Sequence, residues 1–156
     1  AVASKDLGLG VVTTISKSLD ATADKEGLAQ AYSTYTAATF APDGKVTSSI
    51  IDASQANVNF DAKGKITTDL SVAPMTKIEL GEGYGMKKAS AIGKEWYEQA
   101  DAFAAYVVGK TIEEINGIAV DETGHATAED LVSSVTVGIL DFQSNMEKAF
   151  NNANNK

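Results

Sequence analysis

The sequence predicts an α+β domain: a twisted antiparallel β-sheet, wound as a meander, with amphipathic helices packed on one face. Three observations carry this. Short β-branched and Tyr/Thr-rich runs fill the first half. A turn motif recurs there at regular spacing. Helical periodicity is confined to the second half.

Leu9-Gly-Val-Val-Thr-Thr-Ile15 is short and β-branched, as strands are. The polar stretch from Ser16 to Glu26 separates it from the next strand. The chain therefore divides into residues 1–26, a β-prone arm with a polar connection, and residues 27–156, one α+β domain. Gln30 to Phe40 is the second strand, with Tyr32 and Tyr35 on opposite faces. Phe40-Ala-Pro-Asp-Gly-Lys-Val-Thr47 then recurs as Phe60-Asp-Ala-Lys-Gly-Lys-Ile-Thr67. Gly44 and Gly64 supply the positive φ of two hairpin turns. Between them, Lys45 to Asp52 and Gln55 to Phe60 form one bent strand or two short ones, and Lys65 to Leu70 returns as another.

Farther on, Ile92, Trp96, Ala100, Phe103 and Val107 share one helical face, with Lys94, Glu95, Glu98 and Asp101 mostly opposite and Gly109 as the stop. Thr111-Ile-Glu-Glu114 is a capping box, and Thr127-Ala-Glu-Asp130 has similar chemistry. Ser134 to Leu140 reads as a last short strand. Asp141 then caps a terminal helix that buries Phe142, Met146, Ala149 and Phe150, ahead of a fraying polar tail.

A chain of 156 residues that is 44% hydrophobic supports one real core. With no cysteine, disulfides and thiolate metal sites are excluded. All 13 basic residues are lysine, and 21 acids bring the net charge to −8, which argues against nucleic acid and anionic membranes as partners. No apolar run reaches the ~20 residues that span a bilayer. The Ala1-Val-Ala-Ser start and Thr/Ser/Asn-rich composition suit an exported, extracellular or cell-surface protein with its signal peptide removed.

Just before the terminal helix stands Asp130-Leu-Val-Ser-Ser-Val-Thr136. It resembles the Asp-x-x-Ser-Gly-Ala-Thr signature of FMN-binding-domain proteins, small extracytoplasmic flavin carriers. The similar order of elements spans roughly Tyr32 to Ala153, with Gly109-Lys-Thr111 a looser echo. The resemblance implies FMN esterified through its phosphate to the Thr136 hydroxyl by a separate transferase. Asp130 would be the opening acid and Ser133 the accompanying hydroxyl. Two positions depart from the pattern. Ser134 replaces glycine, and Val135 sets a branched side chain beside the hydroxyl in place of alanine. Both changes hinder covalent attachment.

Noncovalent flavin needs a ring slot and phosphate donors. Trp96, Tyr97 and Tyr84 are candidate ring contacts, and Lys87 with Lys88 candidate phosphate contacts; the plainer reading makes Trp96 core and the lysines solvated. Gly81-Glu-Gly-Tyr-Gly85 reads as a flexible connection, because Glu82 would repel phosphate. Enzyme chemistry has little support: His125 is a lone loop histidine, and no serine sits in a Gly-x-Ser-x-Gly elbow. Two functions remain. One is a non-enzymatic flavin-binding or electron-transfer module, or a descendant that lost its cofactor. The other is a structural subunit that self-assembles into a filament or surface layer as its N-terminal arm adds to a neighbour's sheet.

Overall fold

The computed structural model describes residues 6–154, so the Ala1-Val-Ala-Ser start lies outside the described residues. Strands β1 (Asp6–Thr14), β2 (Gly27–Phe40) and β3 (Val46–Phe60) form one antiparallel sheet in the order β1-β2-β3. The expected pair of short strands or one bent strand from Lys45 to Phe60 resolves into the single strand β3, which starts at Val46. Residues 77–80 form α1 (Lys77–Leu80), followed by a 3₁₀ turn over Gly81–Tyr84. Then come α2 (Trp96–Tyr106), α3 (Ile112–Asn116), α4 (Glu129–Val132) and α5 (Leu140–Asn154). The fold is the expected α+β arrangement.

Register decides which side chains meet the helices. Gly8 pairs with Ala38 and Gly10 with Thr36, and Thr36 pairs in turn with Ile51. These residues line the inner face, where α5 lies on β1 and β2 and α2 lies on β3. A Cβ at Gly8 would collide with the Ala149 carbonyl oxygen, and one at Gly10 with that of Asn145. The two glycines therefore let α5 settle almost onto the backbone of β1. The core beneath holds Ile51, Phe103, Val107, Ile115, Leu131, Ile139, Phe142 and Met146, all buried.

β1 pairs within its own chain, and α5 also takes two groups of its outer edge. Leu9 N–H donates to Asn152 Oδ1 at 3.0 Å, and Lys148 Nζ donates to the Val11 carbonyl at 2.8 Å. An edge strand treated this way offers a poor template for a further strand. The outer face of the sheet is barer: Leu7, Leu9, Val11 and Ile50 are exposed.

The two repeated turns fold alike. Ala41 N–H bonds to Lys45 O and Gly44 N–H to Ala41 O; Asp61 repeats the pair with Lys65 and Gly64. A third copy, Asp121-Glu-Thr-Gly-His125, has the same two bonds, and Gly124 sits at φ 84°.

Several expected details differ. Lys65 to Leu70 forms no strand, only the bridge Phe60↔Ile66, because Thr68 Oγ1 takes the Asn59 N–H that a strand would have used. The span from Ser134 to Leu140, whose last residue already begins α5, is instead a loop with one bridge, His125↔Gly138. Its Thr136 and Val137 N–H groups bond to a side chain instead of a strand. Ala128, not Thr127, is the N-cap of α4, since the Thr127 hydroxyl turns back to Ala119 O. Asp141 lies inside the first turn of α5, where a negative charge suits the helix dipole. The tail stays helical to Asn154, held by buried Ala153 and by Asn152. The capping box at Thr111 is present as expected.

Candidate functional site

At one end of the sheet, α1, the N-terminus of α2, the loop ahead of α5 and the start of α5 converge around a cavity of about 520 Å³. Tyr32, Lys77, Tyr84, Met86, Trp96 and Thr136 line it, with Lys17, His125 and Asp141 also in the wall. Its size lies within the ~300–1,000 Å³ usual for small-molecule sites.

Each lining residue arrives by an identifiable local cause. Thr76 caps α1 through a reciprocal box with Glu79, which starts a helix at Lys77. Asp52 on β3 accepts the Ile78 N–H at 3.1 Å and ties that helix to the sheet. Glu95, placed by periodicity on the polar face, is instead buried. Its carboxylate accepts the N–H groups of Met86 at 2.9 Å and Lys87 at 3.0 Å, and this bends the chain so that Tyr84 and Met86 reach the cavity. The Gly81–Gly85 segment is thus an ordered turn, not a loose connection. The third turn delivers His125, whose Nδ1 lies 2.7 Å from the Thr123 hydroxyl. Asp121 accepts from that hydroxyl and from the Thr123 and His125 N–H groups, which holds its pKa down at about 2.

Gln99 fixes the Thr136 loop. Its Oε1 accepts Thr136 N–H at 2.8 Å, Val137 N–H at 3.1 Å and the Thr136 hydroxyl at 3.1 Å. Its Nε2 donates to Ser90 Oγ and to the Lys94 carbonyl. Sequence reasoning missed Gln99, since an amide in an amphipathic helix reads as surface.

Lys77 was also missed. It is 5% exposed, and its Nζ lies 4.8, 4.6 and 4.6 Å from the ring centroids of Tyr32, Tyr84 and Trp96. Tyr32 Oη accepts a hydrogen bond from it at 3.3 Å. Burial lowers the Lys77 pKa from 10.5 to about 8, partly offset by the Asp52 charge. Burial also pushes the Tyr32 and Tyr84 hydroxyls up.

A lysine whose folded pKa lies below its unfolded value weakens the fold while charged. That cost fades as pH rises from about 8 toward 10.5. Lys77→Met is therefore expected to melt higher than the wild type near neutral pH. The gap should narrow as pH climbs through that window. Thermal melts of both proteins across pH check this, and a pH-independent gap would refute it.

Of the residues singled out from sequence, Thr136, Trp96 and Tyr84 meet at the cavity. Lys87, Tyr97, Asp130 and Ser133 do not line it. Lys87 is exposed, 4.0 Å from Glu82. Lys88 is exposed as well. Tyr97 packs against the core, and Asp130 Oδ1 accepts from the Tyr106 hydroxyl at 3.2 Å. Ser133 is the exposed C-cap of α4. Helical geometry explains Tyr97, one residue round the helix from Trp96. Ser134 and Val135 adopt ordinary backbone angles, and Val135 is buried in the core. Among the described residues, no group of three or more His, Cys, Asp or Glu side chains is placed to hold a metal, and no helix is long and apolar enough to cross a membrane.

Comparison with known proteins is sparse. No protein-family model matches the chain, and no solved structure does. A stretch of 40 residues, 26% of this chain, is 48% identical to chlorophenol reductase of Desulfitobacterium hafniense. The match covers 12% of that protein's length, so the chain resembles a small part of a protein with a redox name.

Proposed function

We propose that this chain is a non-enzymatic binding module that holds a flavin, FMN foremost, noncovalently in the cavity beside Thr136, in an electron-transfer role. The observation that carries the reading is the gathering of Trp96, Tyr84, Tyr32 and Thr136 around one cavity with a buried cation. Aromatic walls suit a planar ring, and the Lys77 ammonium suits an anionic substituent. A flavin held there would supply one- and two-electron chemistry; the protein's part is to bind, orient and exclude water. The Thr136 hydroxyl is engaged by Gln99, and buried Val135 fixes the segment beside it. Both support noncovalent over covalent attachment. An extracytoplasmic setting goes with this reading, on the Thr/Ser/Asn-rich composition.

Titrating FMN into the purified protein should quench flavin fluorescence saturably, while the Thr136 peptide keeps its unmodified mass. A mass increase of one FMN on that peptide would establish the covalent form instead. No quenching at any protein concentration, in a colourless protein of unmodified mass, would overturn the reading.

A second reading, self-assembly at the cell surface, is favoured by the exposed row Leu7, Leu9, Val11 and Ile50. Pairing through the face fits this better than strand addition at β1, where α5 already takes the Leu9 N–H and the Val11 carbonyl.

A further inference from the structure

The chain carries a net charge of −8, yet the charged groups lining this cavity are two lysines, Lys17 and Lys77, and one acid, Asp141, while the Asp52 charge also reaches Lys77 from β3. Lys77 is the buried one. Among the described residues no carboxylate comes within 4.0 Å of its Nζ. Its one oxygen partner is the Tyr32 hydroxyl, 3.3 Å away, and the remaining protons face aromatic rings. Ring faces attract a cation, but they do not replace the hydrogen bonds it loses on leaving water. An ammonium with unfilled donors in the wall of an aromatic cavity is complementary to an oxyanion attached to a flat ring.

We infer that the cavity selects planar aromatic anions over their uncharged counterparts, with Lys77 as the residue that sets the preference. The inference rests on the proposed function only in placing a flat ring among Tyr32, Tyr84 and Trp96; it adds the charge that ring must carry.

Two matched probe pairs test it by fluorescence titration: FMN against riboflavin, and anilinonaphthalene sulfonate against uncharged phenylnaphthylamine. The intact protein should bind the anionic member of each pair about tenfold or more tightly. Lys77→Met should bring that ratio close to one, the anionic member losing more affinity than the uncharged one. Lys77→Arg should retain a preference. A wild-type ratio near one overturns the inference whether or not the variants fold, and so does a preference that Lys77→Met leaves intact. If neither flavin binds but the naphthalene pair shows a Lys77-dependent preference, the flavin reading fails and the anion selectivity stands. If no probe binds, both fall.

Discussion

Phe142→Ala is expected to lower the unfolding free energy by about 3–5 kcal/mol, the range for deleting a buried aromatic ring. The ring is 2% exposed and sits between the two helices that roof the sheet. It meets Trp96 edge-on at 5.8 Å and Phe103 at 5.3 Å. Such pairs add to simple burial, and neither neighbour can refill the space without leaving its own contacts. Because domains of this size keep only about 5–15 kcal/mol in hand, much of the stability would go. Phe142 also lines the cavity, so the same variant should loosen Trp96 and weaken ligand binding. Urea unfolding of Phe142→Ala beside Phe142→Leu measures the effect. A loss below about 1 kcal/mol for the alanine variant would mean that this cluster is not the centre of the core.

Gln99→Leu should cost about 3 kcal/mol, for a different reason. The leucine fills similar space but accepts nothing, so the Thr136 and Val137 N–H groups lose the acceptor the side chain gave them. Each orphaned donor is penalised by its full desolvation, and the loop before α5 is no longer tied to α2. Gln99→Glu keeps an acceptor and should restore protection of the two amides, although it forfeits donation to Ser90 and Lys94. Hydrogen exchange at Thr136 and Val137 separates the two variants. Equal, native-like protection in Gln99→Leu would show that the loop is held by packing alone.

The sheet and helices were legible because their signals are local and periodic. Both Gly turns, the Phe40 end of β2 and the apolar face of α2 follow from spacing within a dozen residues, while β2 starts three residues ahead of the expected Gln30. The site was legible only in part. Trp96 and Thr136 stood out by residue type and resemblance. Lys77 did not, because a helix of four residues shows no periodicity. Its one local sign, the box spacing of Thr76 and Glu79, matches that of Thr111 and Glu114. His125 looked solitary because its turn lacks the leading phenylalanine of the other two, although Asp121 and Gly124 keep the spacing of Asp61 and Gly64. The expected strand at Ser134 to Leu140 failed because β-branched residues report only a preference. A buried glutamine from another element had already taken the N–H groups that a strand partner would need.

The two bonds from α5 to the edge of β1 have a consequence for biosynthesis. Lys148 and Asn152, which bond to that strand's outer rim, lie 137 and 143 residues farther along the chain than the groups they meet, so they leave the ribosome long after β1. Until α5 has emerged, and in any product cut short before it, the rim stands open beside Leu7 and Leu9, which are exposed even in the finished fold. Chains cut short ahead of α5 should therefore yield sticky, aggregation-prone fragments rather than slightly shortened native protein.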